Sequence, residues 1–371
     1  MDLIEWFLKR TPPRPFVITS PGGTLARFAV ERVIRERGWS TASSPAEANL
    51  LVVAGRPTSG LDTYIDRVWH AMPLPRARTH VTAATEAPTA LDAAVDRLHD
   101  RVRQRDEAAH QPAELPGDAH EMSCGSGMSC GSATPNADHG GHRHEAVHQH
   151  DPQEQHREEE PDTDSTHGGH HGHDMSGTEM PGGVPMADRA ADRDGLMLDV
   201  LHVPLGPALP DWPEGLIVHT VLQGDVVQEA QVELLDGGHH PSWHQEVADP
   251  ALVHRLDSAA RLLSVAGWQD AATTARGLRD DILAGWTPEP QLDRWAKRVR
   301  RSRTLRWSLA GIGEHEGADT LDRLYRWIEG EDETLSSDVL PHLLVGTELS
   351  AARLIVAGVG LDLGRRVHAH G

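Results

Sequence analysis

The residues best suited to chemistry in this sequence are its 25 histidines. His139, His142 and His144 form one cluster, and His167, His170, His171 and His173 form a second, both laced with glycine. Imidazole is a good ligand for zinc, nickel and copper, and glycine lets a chain wrap an ion. Met122, Cys124, Met128 and Cys130 lie in a six-residue repeat between them and the N-terminal part, and with Met175 and Met180 they suit copper(I). The two cysteines are spaced C-x5-C, not the C-x2-C of a zinc knuckle. The expectation is weak, non-selective binding of Ni, Zn or Cu, without a closed site. Two cysteines also exclude a disulfide scaffold, and alone they cannot hold an iron–sulfur cluster, which takes about four thiolates.

Other polar groups are weaker candidates. His239-His240-Pro241-Ser242-Trp243-His244, with Glu246 nearby, reads as a polar surface loop before it reads as a metal or acid–base site. Ser20-Pro21-Gly22-Gly23-Thr24 could offer backbone N–H groups to an anion at a helix N-terminus. It lacks both the Lys-Ser/Thr of a Walker loop and the G-x-G-x-x-G of a dinucleotide site. Neither a nucleophile elbow nor an HExxH motif occurs. No independent catalytic constellation is expected. A formal charge of −21 argues against nucleic acid as a partner, because neutralising phosphates requires Lys and Arg.

Three segments must position these groups. In residues 13–105, apolar runs at 16–19 and 50–55 and a further strand at 77–83 alternate with helical patterns at 25–34, 61–72 and 91–105. Thr24 reads as an N-cap, Gly38 as a helix stop, and Leu25, Phe28, Ala29, Arg32, Val33 and Ile34 as one helical face. Alternation of this kind implies a small α/β domain with a doubly wound, flavodoxin-like parallel sheet. Residues 106–195 carry nineteen carboxylates against few arginines, twelve of the histidines, and no apolar periodicity. They read as a disordered His-rich acidic linker. Residues 196–371 begin with a hairpin, 215–222 and 226–235 around Gln223-Gly224-Asp225. Helical patterns follow at 251–266, 271–283, 292–309, 318–328 and 348–360, so this part reads as a mostly helical α+β domain. Six tryptophans between 212 and 307 are expected to be core anchors.

Ser44 to Gly55, an apolar strand ending in Ala-Gly, and Val68-Trp69-His70-Ala71-Met72-Pro73-Leu74-Pro75-Arg76, a helix ending in a Met-Pro-x-Pro turn, carry a resemblance. Together they resemble the 20 kDa, B-type subunit of complex I (NADH:ubiquinone oxidoreductase), a family that shares its fold with the small subunit of NiFe hydrogenases. The resemblance spans about a quarter of the chain. It implies a four-iron cluster ligated by cysteines after the first strand and after the strand that follows the Met-Pro turn. Here those places hold Ser20-Pro21 and Thr82-Ala83-Ala84-Thr85, so Ser20, Pro21 and Thr85 mark lost ligands. Hydroxyls are poor substitutes for thiolates on iron, and the 4Fe-4S cluster is not expected here. The hairpin is similar to the β-region near the start of the 49 kDa large subunit.

What the resemblance implies is an accessory or structural subunit of a complex I-like or hydrogenase-like membrane oxidoreductase assembly. Its partners would be other subunits of a membrane redox or proton-pumping complex. One alternative is a metal-handling protein that uses the His-rich linker, with divalent metal ions as partners. Another is an electron-transfer subunit in which Cys124 and Cys130 complete a cluster with a partner. The acidic start and the lack of any uninterrupted apolar run of about 18 residues lead us to expect a cytoplasmic chain, peripheral at the inner membrane face only through partners.

Overall fold

The run Leu50-Leu51-Val52-Val53-Ala54 is buried along its whole length, as the middle strand of a parallel sheet covered on both faces must be. The computed structural model describes residues 10–110, 188–191, 195–235 and 243–361. Strands β1 (Pro15–Thr19), β2 (Leu50–Ala54) and β3 (Ala77–Val81) form a three-stranded parallel sheet in that order. Helix α1 (Thr24–Glu36) follows β1, α2 (Ser59–Ala71) follows β2, and α3 (Ala87–His99) follows β3.

Alternation along β2 assigns the faces. Leu50, Val52 and Ala54 pack with Val30, Val33 and Ile34 of α1 and Leu91, Ala94 and Leu98 of α3. Leu51 and Val53 pack on the other face with Phe16, Ile18 and the α2 residues Leu61, Ile65 and Val68. Consecutive strands thus carry helices on opposite faces, and the chain path shows why. After α1 it passes Gly38 (φ 65°) and runs along the outer side of β1, where the Ala42 N–H donates to the Pro15 carbonyl (2.8 Å). It then returns through the short turn Pro45–Glu47 to β2, so Ala42 and Ala48 pack on the α2 face.

The pattern expected at 91–105 is two helices. α3 ends at His99, and Asp100 caps α4 (Arg101–Ala109) by accepting from the Val102 and Arg103 N–H groups. α4 therefore extends into the segment read as linker. At the other end of that segment, β4 (Arg189–Ala191) pairs antiparallel with β5 (Met197–Leu205).

The expected hairpin is β6 (Leu216–Gln223) and β7 (Val226–Leu234), turning at Gly224 (φ 60°), in an antiparallel sheet of order β4-β5-β6-β7. Helices follow as α5 (Pro250–Val265), α6 (Gln269–Leu283), α7 (Glu289–Arg300), α8 (Arg303–Leu309), α9 (Thr320–Glu329), α10 (Leu340–Leu344) and α11 (Leu349–Gly358). The single pattern read at 292–309 splits at Ser302, whose hydroxyl accepts from the Leu305 N–H to start α8. Trp212, Trp243 and Trp295 are buried as expected, but Trp286 and Trp307 are 73% and 82% exposed, which corrects the reading of all six as core. No helix among the described residues is long and apolar enough to cross a membrane.

Ile217 and Leu235, from either end of the hairpin, join the core of the α2 face. Trp243 meets Phe28 of α1 edge-on at 5.8 Å. The N-terminal sheet and the C-terminal helices therefore share a core, and α1 is enclosed between them.

Candidate functional site

The polar positions of α1 recur every fourth residue at Arg27, Glu31 and Arg35, a stripe that would ordinarily face water. It faces α5 and α6, and every member is matched. Asp257 of α5 accepts from Arg27 (2.7 and 3.1 Å), from Arg261 one turn on (2.6 and 2.9 Å), and from Arg279 of α6 (2.8 Å). Glu31 accepts from Arg27 (2.8 Å) and Arg279 (2.9 Å). Asp280 accepts from Arg279 and from Arg35. Asp211, in the loop between β5 and β6, accepts from Arg276 and from the Ser264 hydroxyl (2.6 Å). Arg279 is wholly buried, with its guanidinium 4.1 Å above the Phe28 ring.

Burial alone would raise the carboxyl pKa values here, but the surrounding guanidinia outweigh it. Arg27, Arg279 and Arg276 hold Glu31 at about 2, and Arg261, Arg27 and Arg279 hold Asp257 well below the usual carboxylate range. Both stay ionised wherever the protein is folded near neutrality.

Glu214 differs. Its carboxylate sits at the start of α1, accepting from the Thr24 hydroxyl (2.8 Å) and the Gly22 N–H (3.4 Å). Burial raises its pKa, and these bonds together with Arg27 and Arg261 only partly offset the rise. Thr24 is therefore not the N-cap expected from sequence. That place is Gly23, and the Thr24 hydroxyl is spent on Glu214.

The lost-ligand positions lie in this same loop and beyond β3. Ser20 is wholly buried, its N–H donates to Ala54 (2.8 Å), and its hydroxyl has no hydrogen-bond partner. Pro21 lies against Gly215, where a Cβ would come within 3.0 Å of the proline ring. Gly23 presses onto Ala54 so closely that a Cβ there would meet its carbonyl at 2.2 Å. Thr85 is exposed in the turn Ala84–Glu86, and Glu86 ties that turn off by accepting from Thr82 and Ala83. These residues do not fit an iron–sulfur cluster. They offer no thiolate, and the first loop is packed shut against its own sheet and against residues 214–215.

His139, His142, His144, His167, His170, His171 and His173, with Cys124 and Cys130, lie outside the described residues, as do His239 and His240. Among the described residues no group of three or more His, Cys, Asp or Glu is placed to hold a metal. Trp243 and His244, from the candidate loop, form a short helical turn with their rings stacked at 4.2 Å.

A hydroxyl, an imidazole and a carboxylate do line up at Ser258, His254 and Asp332, with His254 Nδ1 3.1 Å from Asp332 and Nε2 3.4 Å from Ser258. A cavity of about 20 Å³ beside His254 has room for a single water. A larger cavity of about 580 Å³ lies between the outer side of β1 and α5–α6, lined by Arg27, Glu31, Arg35, Arg261 and Arg276.

Sequence reasoning missed the ion-pair network. The available signal was spacing: Arg27/Glu31 and Asp257/Arg261 are each four apart, and Arg279-Asp280 are adjacent. Nothing local says that two such stripes face each other. No family model, no curated protein and no solved structure matches this chain.

Proposed function

We propose that this chain is a cluster-less relative of the complex I and hydrogenase small subunit, acting as an accessory subunit of a membrane-bound oxidoreductase assembly. The observation that carries the reading is the closed loop after β1. At two of the positions where the resemblance calls for thiolates, the chain has a buried serine and a proline packed on Gly215, and beside them a carboxylate from the C-terminal part is bonded to Thr24. The parallel sheet supports the same reading. The Ala42 segment occupies the outer side of β1, where a flavodoxin-like order has its second strand. The hairpin packed against that sheet supports the comparison with the large subunit.

The test is affinity purification of the tagged full-length chain from detergent-solubilised membranes of its own host, followed by mass spectrometry and iron analysis. Co-purification of a multisubunit redox complex, with no stoichiometric iron on the isolated chain, is the expected result. Recovery of the chain alone, or four irons per chain with a cluster spectrum, overturns it.

The histidine clusters favour a second reading, metal handling. If deleting residues 110–180 leaves complex assembly intact but impairs metal supply to it, that second reading replaces the first.

A further inference from the structure

The cavity of about 580 Å³ has the size of a small-molecule site, for which about 300–1,000 Å³ is usual. Its two walls differ in chemistry. Trp39, Pro207, Leu209, Pro210 and Trp212 make one apolar side. Arg27, Arg35, Arg261 and Arg276 make the other.

The polar wall itself carries four guanidinia, from Arg27, Arg35, Arg261 and Arg276, beside two carboxylates, Glu31 and Asp211. Five guanidinia, from Arg27, Arg35, Arg261, Arg276 and Arg279, meet four carboxylates, from Glu31, Asp211, Asp257 and Asp280. Glu214, bonded to Thr24 and held by Arg27 and Arg261, adds a fifth carboxylate to this cluster on the Thr24 side. Within the network, Arg35 uses one Nη for Asp280, Arg261 uses Nε and one Nη for Asp257, and Arg276 uses one Nη for Asp211. Each keeps N–H groups that no described residue accepts.

A third recognition element is the outer side of β1. The Ser20 N–H reaches β2 and the Pro15 carbonyl reaches Ala42 on the opposite side. Alternation along the strand therefore turns the N–H groups of Val17 and Thr19 outward, and both residues line the cavity. Asp211 completes the wall with φ 57°, a conformation rarely held by a residue with a Cβ, which aims its carboxylate at Arg276.

We infer that this cavity is a binding site for an organic anion with a carboxylate or phosphate head on Arg35, Arg261 and Arg276 and a flat apolar body against Trp39 and Trp212. The head accepts from the N–H groups that the ion pairs leave over, and the body covers the apolar wall. Binding of this kind needs no cluster and no partner subunit, so it stands or falls separately from the accessory role.

The test is calorimetric titration of the full-length chain with 2-naphthoate, indole-3-acetate and phenyl phosphate, set against the neutral 2-naphthalenemethanol and tryptophol. At least one anion is expected to bind one to one, with its neutral counterpart at least about tenfold weaker, the worth of a charge-assisted hydrogen bond. A carboxylate or a phosphate preference separates the two head groups. Arg35→Gln is expected to weaken binding about tenfold or more. Thr273→Trp, at an exposed position on the cavity rim, is expected to abolish it without touching the ion pairs. Should Arg35→Gln fail to fold, Thr273→Trp decides. The inference is overturned if no anion binds, if neutral and charged compounds bind alike, or if Thr273→Trp binds as the parent does.

Discussion

Single residues in the loop after β1 and packed against it carry opposite kinds of burial. The Ser20 hydroxyl is buried without a partner, so it contributes desolvation cost and no bond. Ser20→Ala is expected to leave stability unchanged or raise it by about 1 kcal/mol, measured by urea denaturation. A loss of stability would mean that the hydroxyl is bonded after all. Glu214 is a carboxylate with a folded pKa above its ordinary value of 4.5. Its contribution is fully present below the unfolded pKa and is lost as pH rises through the folded one, because a charge must then be held in a desolvated place. Glu214→Gln, neutral at every pH, is expected to melt higher than the parent at pH 8 and to lose that advantage near pH 4. Equal differences at both pH values would show that the carboxyl titrates normally.

At the level of elements, α1 is the helix on which everything converges. One side packs Val30, Val33 and Ile34 against the sheet, while Arg27 and Glu31 are locked to α5 and α6. Removing one buried partner strands the others, which generally costs about 3–5 kcal/mol. Asp257→Asn, which strips the charge facing three guanidinia, is expected to fall in that range by chemical denaturation. The network also sets an acid limit. Glu31 is held at about 2, below its ordinary 4.5, so its stabilisation is present above pH 4.5 and lost as pH falls towards 2. A flat acid profile between those values in parallel melts would remove Glu31 from the network's energetics. Most of the elements themselves were legible in sequence. The strands at 16–19, 50–55 and 77–83 and the Gly224 hairpin read correctly because apolar runs, strand alternation and turn residues are local signals. β4 and β5 went unread because β5 alternates proline, histidine and aspartate among its apolar residues and is largely exposed.

Across the whole molecule, the described residues lie on either side of residues 111–187. They hold the buried cores on both faces of the parallel sheet. Residues 111–187, outside the described ones, hold all seven histidines of the two clusters and both cysteines. A chain lacking residues 116–186 is therefore expected to keep the parent's melting transition within about 2 °C, as core contacts are untouched, and to lose retention on immobilised nickel. A collapse of the transition would show that the folded unit depends on that segment. Retained nickel binding would place the metal-binding histidines elsewhere.

Composition and spacing by themselves determined the histidine clusters, the scarcity of cysteine, and the α/β character of the first part and the helical character of the last. These follow from residue chemistry and from the periods of strand and helix, both of which are local. Tertiary structure alone decided that the stripe Arg27–Glu31–Arg35 is buried rather than solvated, that Thr24 bonds Glu214 some 190 residues away, and that a cavity with arginines along one wall opens beside β1. Each of these depends on which face meets which. Periodicity identifies a face without naming its partner, and a charged side chain gives no sign in sequence that the opposite charge waits on another helix.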